Sequence, residues 1–177
     1  MYGTKIAVIG ATAQFDAFYR SLNWEVTEPR KALILLVQQL RKEVDIIVCL
    51  SHLGLTDDEL LAQECPDIDV IFGAHTHHVL LQGKVVNGVL LTGGGKYGQF
   101  TGHLTIAYSH EMKSIVSIEE ELIDNGQLVT VPKEAEFLYG LTKKAEMLLK
   151  EPVTQLSKTY YKEWFHYSPL SNLFADA

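Results

Sequence analysis

The stretch "DIIVCLSHLGLTDDELLAQECPDIDVIFGAHTHH", residues 45–78, decides the fold. Asp45 to Leu50 is almost wholly apolar and Ile68 to Phe72 nearly so, as expected of strands covered on both faces. Between them, Thr56-Asp-Asp-Glu59 reads as a capping box with acids in the first helical turn. The helix it opens runs to about Cys65, and Pro66 stops it. Strand, helix and strand follow one another with a crossover of about 17 residues, long enough for parallel pairing.

Each of these strands ends in histidine. The first leads into Ser51-His52-Leu53-Gly54 and the second into Gly73-Ala74-His75-Thr76-His77-His78. In open parallel sheets the functional site lies beyond the carboxyl ends of the strands, so neighbouring strands would put His52 on one rim with His75 and His77. In an extended segment, positions 75 and 77 point to one side and 76 and 78 to the other. Three imidazoles would then converge, and neutral imidazole is a common metal ligand. Gly54 and Gly73 would let the backbone bend close to an ion. Ser51 and His78 fall to a supporting role around that cluster, while His103, His110 and His166 have no partner in sequence and read as structural.

The flanking sequence fixes the fold class. Lys5 to Gly10 is a short apolar run ending in glycine, whereas Ala11 to Trp24 shows no clean period. Thr27-Glu-Pro-Arg opens a helix with Thr27 as cap, and Ala32, Leu35, Leu36 and Leu40 form its apolar stripe. Beyond residue 80 the pattern changes to a hairpin over Val85–Leu91 turning at Asn87-Gly88, then strands at Leu104–Tyr108 and Ser114–Glu121. The class is therefore α/β to α+β with a mixed parallel and antiparallel sheet. Pro132 to Glu151 reads as one long linker helix, with Leu138, Leu141, Ala145 and Leu148 at helical spacing. Lys158 to Trp164 is aromatic and strand-like. Ser168-Pro-Leu opens a last helix with Leu170, Leu173, Phe174 and Ala177 on one face.

Composition excludes several functions. The 177 residues carry 47% hydrophobic and 21% charged side chains, enough for a folded core. A net charge of −7 with no basic run argues against a nucleic-acid polymer as partner. No apolar run approaches the ~20 residues of a membrane span, so no membrane partner is expected. The start lacks the basic flank and cleavage site of a signal peptide, which points to the cytoplasm, although an amino-terminal signal could lie outside the chain. Cys49 and Cys65 form no motif and read as structural thiols.

Residues 47–80, with Ser51-His52-Leu53-Gly54 and Gly73-x-His75-x-His77, resemble the calcineurin-like metallophosphoesterases, most closely their bacterial 5′-nucleotidase branch. "LLTGGGKYGQFTGHLTI", residues 90–106, is similar to the segment that follows in that branch, and "SPLSNLFADA", residues 168–177, to the opening of its carboxyl-terminal domain. Ser171 stands where glycine is usual, and Tyr167 where an acid is often found. The resemblance implies half of a layered metallophosphoesterase sandwich at 1–131, an interdomain helix and linker at 132–157, and the start of a second, nucleotide-binding domain at 158–177. It implies a centre of two divalent cations of the manganese, zinc, iron, cobalt or calcium type, lying ~3.5–4 Å apart. His52 and His75 would match ligands of one ion and His77 a ligand of the other. The family's remaining ligands and its acid/base histidine come from Asp-x-His, Gly-Asp and Gly-Asn-His elements, none of which occurs in the chain. Asp57 and Asp58 belong to the helix terminus, and Asp67 and Asp69 lie at the wrong end of the sheet.

The implied activity is metal-dependent hydrolysis of nucleotide phosphomonoesters by a longer protein, of which this chain is a fragment, inactive alone. Two alternatives stand beside it: a non-catalytic metal-binding remnant or partner-dependent half, and a mononuclear hydrolase using His52, His75 and His77. Surfaces left uncovered by a missing half would favour self-association.

Overall fold

The computed structural model describes residues 3–129, 131–152, 155–163 and 166–175. Two compact units emerge, Met1–Leu128 and Val129–Ala177. In the first, β1 (Ile6–Thr12), β2 (Ile46–His52), β3 (Val70–Gly73), β4 (Lys84–Val86) and β5 (Val89–Thr92) make one sheet in the order β1-β2-β3-β5-β4. β1, β2, β3 and β5 are parallel, and β4 returns antiparallel beside β5. Asn87 and Gly88, at φ 49° and 86°, form the tight turn between β4 and β5, both in the left-handed region that an Asn-Gly hairpin turn uses. A separate two-stranded ribbon joins β6 (Phe100–Ser109) to β7 (Ser114–Asp124). The mixed sheet and the crossover match the reading of the sequence.

Helices α1 (Asp16–Ser21), α2 (Pro29–Leu40) and α3 (Leu55–Glu64) complete this unit. α1 occupies the segment in which no period was visible. The core forms where Leu33 and Val37 of α2 and Leu61 and Ala62 of α3 meet Ala7, Ile9, Ile47, Cys49 and Ile71 of the sheet. On the other side of the sheet, Ile6, Val8 and Leu50 are exposed.

Two details of α2 correct the sequence reading. Its cap is Glu28 rather than Thr27: the carboxylate accepts the N–H groups of Arg30 at 3.1 Å and Lys31 at 2.9 Å. Its buried face runs through Leu33 and Val37, while Leu35 is 62% exposed and Ala32 and Leu36 also face outward; of the expected stripe only Leu40 packs against the core. The run ALILLV is apolar all round, so periodicity does not select one face.

Cys49 and Cys65 are free and buried. Burial pushes the Cys49 thiol up to about 12, with the Asp58 carboxylate adding to the effect, and also raises Cys65. Because the thiolate is the nucleophile, neither thiol is expected to react with iodoacetamide at pH 7.5 in the folded protein. Both should react in 6 M urea, and modification of either without denaturant, read by mass spectrometry, would contradict the burial described.

The second unit contains α4 (Pro132–Leu149) and α5 (Pro169–Ala175). α4 buries none of its side chains, and Leu138, Leu141 and Leu148 are all at least half exposed. Ser168 starts α5 by accepting the Ser171 N–H at 3.3 Å. The strand expected from residue 158 does not form over 158–163, and Trp164 and Ala177 lie outside the described residues.

Candidate metal centre

The carboxyl ends of β1, β2, β3 and β5 share one rim, so the loops carrying histidine emerge side by side. The register aligns Thr12 with His52 and Ser51 with Gly73, and Ala13 donates its N–H to the His52 carbonyl at 3.0 Å. The rings of His52 and His75 come together with centroids 5.1 Å apart and tilted by 58°. Phe15, from the loop after β1, also packs against His75, with ring centroids 5.5 Å apart. None of the His52, His75 or His77 rings makes a hydrogen bond among the described residues, which leaves their nitrogens open to an external acceptor.

The histidine loop is not extended. His75 and His77 lie at φ 68° and 53°, in the left-handed region, so the alternation that would aim both rings to one side does not apply. His77 is exposed and makes no ring contact with the other two. Among the described residues no three His, Cys, Asp or Glu side chains are placed to hold one ion, and the single-ion three-histidine centre finds no geometric support.

Glycine at position 54 is required twice over. Its φ is 100°, and a Cβ there would lie 3.0 Å from Thr76 Cγ2 and 3.4 Å from His75 Cδ2. This close approach starts α3 one residue before Thr56, with Gly54 as cap, and lets the Leu55 N–H donate to Thr76 Oγ1 at 3.1 Å. Asp58 consequently turns inward. It is 1% exposed, its Oδ1 accepts the Ser51 hydroxyl, and Ser51 Oγ in turn accepts the Leu53 N–H at 3.1 Å. Burial raises the Asp58 carboxyl above the usual carboxylate range, while Ser51 and the nearby His78 oppose that rise. Asp57, by contrast, is solvent-facing and lies 3.7 Å from Arg30.

His78 sits at the back of the histidine loop, its Nδ1 2.9 Å from Thr76 Oγ1. Of the four residues given a supporting role, Gly54 approaches His75, Ser51 bonds to Asp58 and Leu53, and Gly73 lies beside Asp58 and His78. Asp58 and Phe15 were not anticipated. For Asp58 the overlooked signal was Gly54, which takes the cap two residues before Thr56.

The chain is 36% identical over 176 residues to the Bacillus subtilis metallophosphoesterase YunD, covering 99% of this chain and 38% of that protein. Its fold superposes on the sulfate thiohydrolase SoxB of Thermus thermophilus with a TM-score of 0.71, at 20% identity, over 98% of this chain and 33% of the other. A 5′-nucleotidase precursor from Thermus thermophilus gives a TM-score of 0.58 at 22% identity over 77% of this chain and 31% of the other. These likenesses support a metallophosphoesterase domain with the fold of the calcineurin-like 5′-nucleotidase branch. It spans well under half the length of each of these relatives, and no family model matches it. Metallophosphoesterases as a family use divalent cations, and the two facing imidazoles fit that chemistry as nitrogen donors. No helix among the described residues is long and apolar enough to cross a membrane.

Proposed function

We propose that this metallophosphoesterase chain contributes part of a two-cation centre for hydrolysis of nucleotide phosphomonoesters. The observation that carries the reading is the facing pair His52 and His75, set on the rim where parallel sheets place their sites. His52 and His75 would hold one cation and His77 would reach the second. Such ions, when bound, polarise a phosphate oxygen and generate a hydroxide nucleophile near neutral pH.

The chain's own residues prepare the place. Phe15 and Leu53 keep one flank of His75 apolar, and a cavity of ≈ 340 Å³ beside it, also bordered by Gln14 and Arg30, offers room for a substrate. Arg30 lies within 4 Å of Glu28, Asp57 and Glu64, so its charge is already matched and does not serve as a free phosphate clamp. The described residues bring no bridging carboxylate to the rim, and turnover therefore requires ligands from further polypeptide. In that arrangement residues 1–131 supply one half of the phosphoesterase domain, 132–157 the connection, and 158–177 the opening of a second domain. The bare sheet face at Ile6, Val8 and Leu50 supports self-association of the chain by itself.

The test is a phosphatase assay with AMP and manganese. The 177-residue chain is expected to show no turnover, and a form extended to carry Asp-x-His and Gly-Asn-His elements is expected to hydrolyse AMP and to lose that activity on His52→Ala. An extended form silent with manganese, zinc and cobalt alike would remove the phosphohydrolase reading. One bound ion per chain in both forms, without turnover, would favour a metal-binding half instead.

A further inference from the structure

Two buried polar atoms at the back of the histidine loop have no hydrogen-bond partner: Asp58 Oδ2 and His78 Nε2. They face the same spot. A Cβ built on Gly73 would lie 2.7 Å from Asp58 Oδ2 and 3.0 Å from His78 Nε2. A Cβ on Gly93 would likewise lie 2.6 Å from His78 Nε2. Two glycines thus clear a slot for one imidazole, at the ends of β3 and β5, and among the described residues the buried oxygen beside it that lacks a donor belongs to a carboxylate. Leaving both atoms unmatched would cost each its full desolvation penalty, so a native arrangement joins them.

We propose that Asp58 and His78 form a buried carboxylate–imidazole pair, joined directly or through one water, that positions the histidine loop. The hydrogen bonds around it assign the protons. Thr76 Oγ1 accepts the Leu55 N–H, so its own proton is available to His78 Nδ1. With Nδ1 accepting, the ring proton resides on Nε2 and is donated to Asp58 Oδ2. Asp58 Oδ1 meanwhile takes the Ser51 hydroxyl, and Ser51 Oγ takes the Leu53 N–H. The chain of bonds ties the loop that follows β2, the first turn of α3 and the histidine loop into one unit. His52 ends β2, directly before the first of the loops so tied, and His75 sits on the second. A carboxylate that fixes an imidazole tautomer, and through it the geometry of neighbouring ligands, is a recurring support for metal and catalytic sites. Asp58 and His78 are positioning residues: they touch neither the cavity nor the facing ring pair. The consequence for cation binding rests on the function proposed above, whereas the pair itself does not.

Histidine-selective nitrogen-15 spectra of the 177-residue chain and of Asp58→Asn separate the two. In the wild-type chain His78 is expected as a single tautomer protonated at Nε2. In Asp58→Asn the amide NH₂ becomes a donor to Nε2, the Asn carbonyl keeps the Ser51 hydroxyl, and the ring proton is expected to move to Nδ1. A wild-type His78 protonated at Nδ1, or averaging between both tautomers, overturns the pair even if the variant fails to fold. Zinc titration of the two proteins, with circular dichroism to check their folding, reads the positioning role. Affinity is expected to fall 10- to 100-fold in the variant, and an equal affinity alongside the tautomer switch overturns that role. Absence of zinc uptake by wild type together with an Nε2–H His78 counts against the metal reading and leaves the pair standing.

Discussion

His75→Ala is expected to weaken divalent-cation binding by more than about 100-fold, the upper end of what loss of a merely supporting group costs. His75 contacts both neighbouring rings of the rim, His52 at 5.1 Å and Phe15 at 5.5 Å between centroids, and it is partly buried. Removing it takes away a nitrogen donor and also the surface that holds the His52 ring in place. His103, exposed on β6, supplies the control, since its replacement by alanine should leave affinity unchanged. Calorimetric titration with zinc or manganese distinguishes the cases. Equal affinities of wild type and His75→Ala would show that the facing ring pair is a packing contact and nothing more.

Gly93→Ala is the second large effect, and it acts on folding as well as on the site. The added methyl would lie 2.6 Å from His78 Nε2 and 2.9 Å from the His78 carbonyl oxygen. Neither neighbour yields cheaply. The His78 carbonyl accepts the Gly95 N–H at 3.0 Å, the Gly93 carbonyl accepts the Leu80 N–H at 2.9 Å, and the ring also lies close to Gly73. Overpacking of this kind costs about 1–3 kcal/mol, a sizeable part of the ~5–15 kcal/mol that stabilises a domain. Urea unfolding followed by circular dichroism should show an earlier midpoint with an unchanged slope. Gly88→Ala differs in kind: no atom lies within 4 Å of its Cβ position, and its cost is confined to the left-handed φ of 86°. A Gly93→Ala midpoint equal to wild type would mean that the slot around His78 is wider than the structure shows.

How much of this was legible beforehand depends on what kind of signal each element carries. β2, β3 and the β4–β5 hairpin were readable because their signals are local: an unbroken apolar run, a proline stop, and Asn-Gly with its left-handed turn. The parallel crossover followed from chain length alone. The face of α2 was not readable, since Leu33, Ile34, Leu35, Leu36 and Val37 are all apolar and only the position of the sheet chooses Leu33 and Val37. Lys158 to Glu163 shows the opposite failure, because aromatic residues favour strands only where a partner strand is present to pair with.

At the candidate site the histidines could be picked out but their geometry could not. His52 and His75 were expected to meet, and their rings do. The alternation assumed for His75 and His77 required extended backbone, and the loop instead turns left-handed at both positions. Asp58 was absorbed into an apparent capping box, a local pattern that the close approach of Gly54 to Thr76 overrides. Local rules name the residues with chemistry; which of them meet is settled by contacts between loops distant in sequence.

The backbone at His75 and His77 has one more consequence. Residues with a side chain occupy that region of φ at a cost of roughly 1–2 kcal/mol each, a cost glycine would avoid. Endurance against heat and capture of an ion therefore pull in opposite directions at these two positions. A lineage under pressure only to stay folded would drift toward glycine there, and its loss of histidine would record when the chemistry ceased to matter.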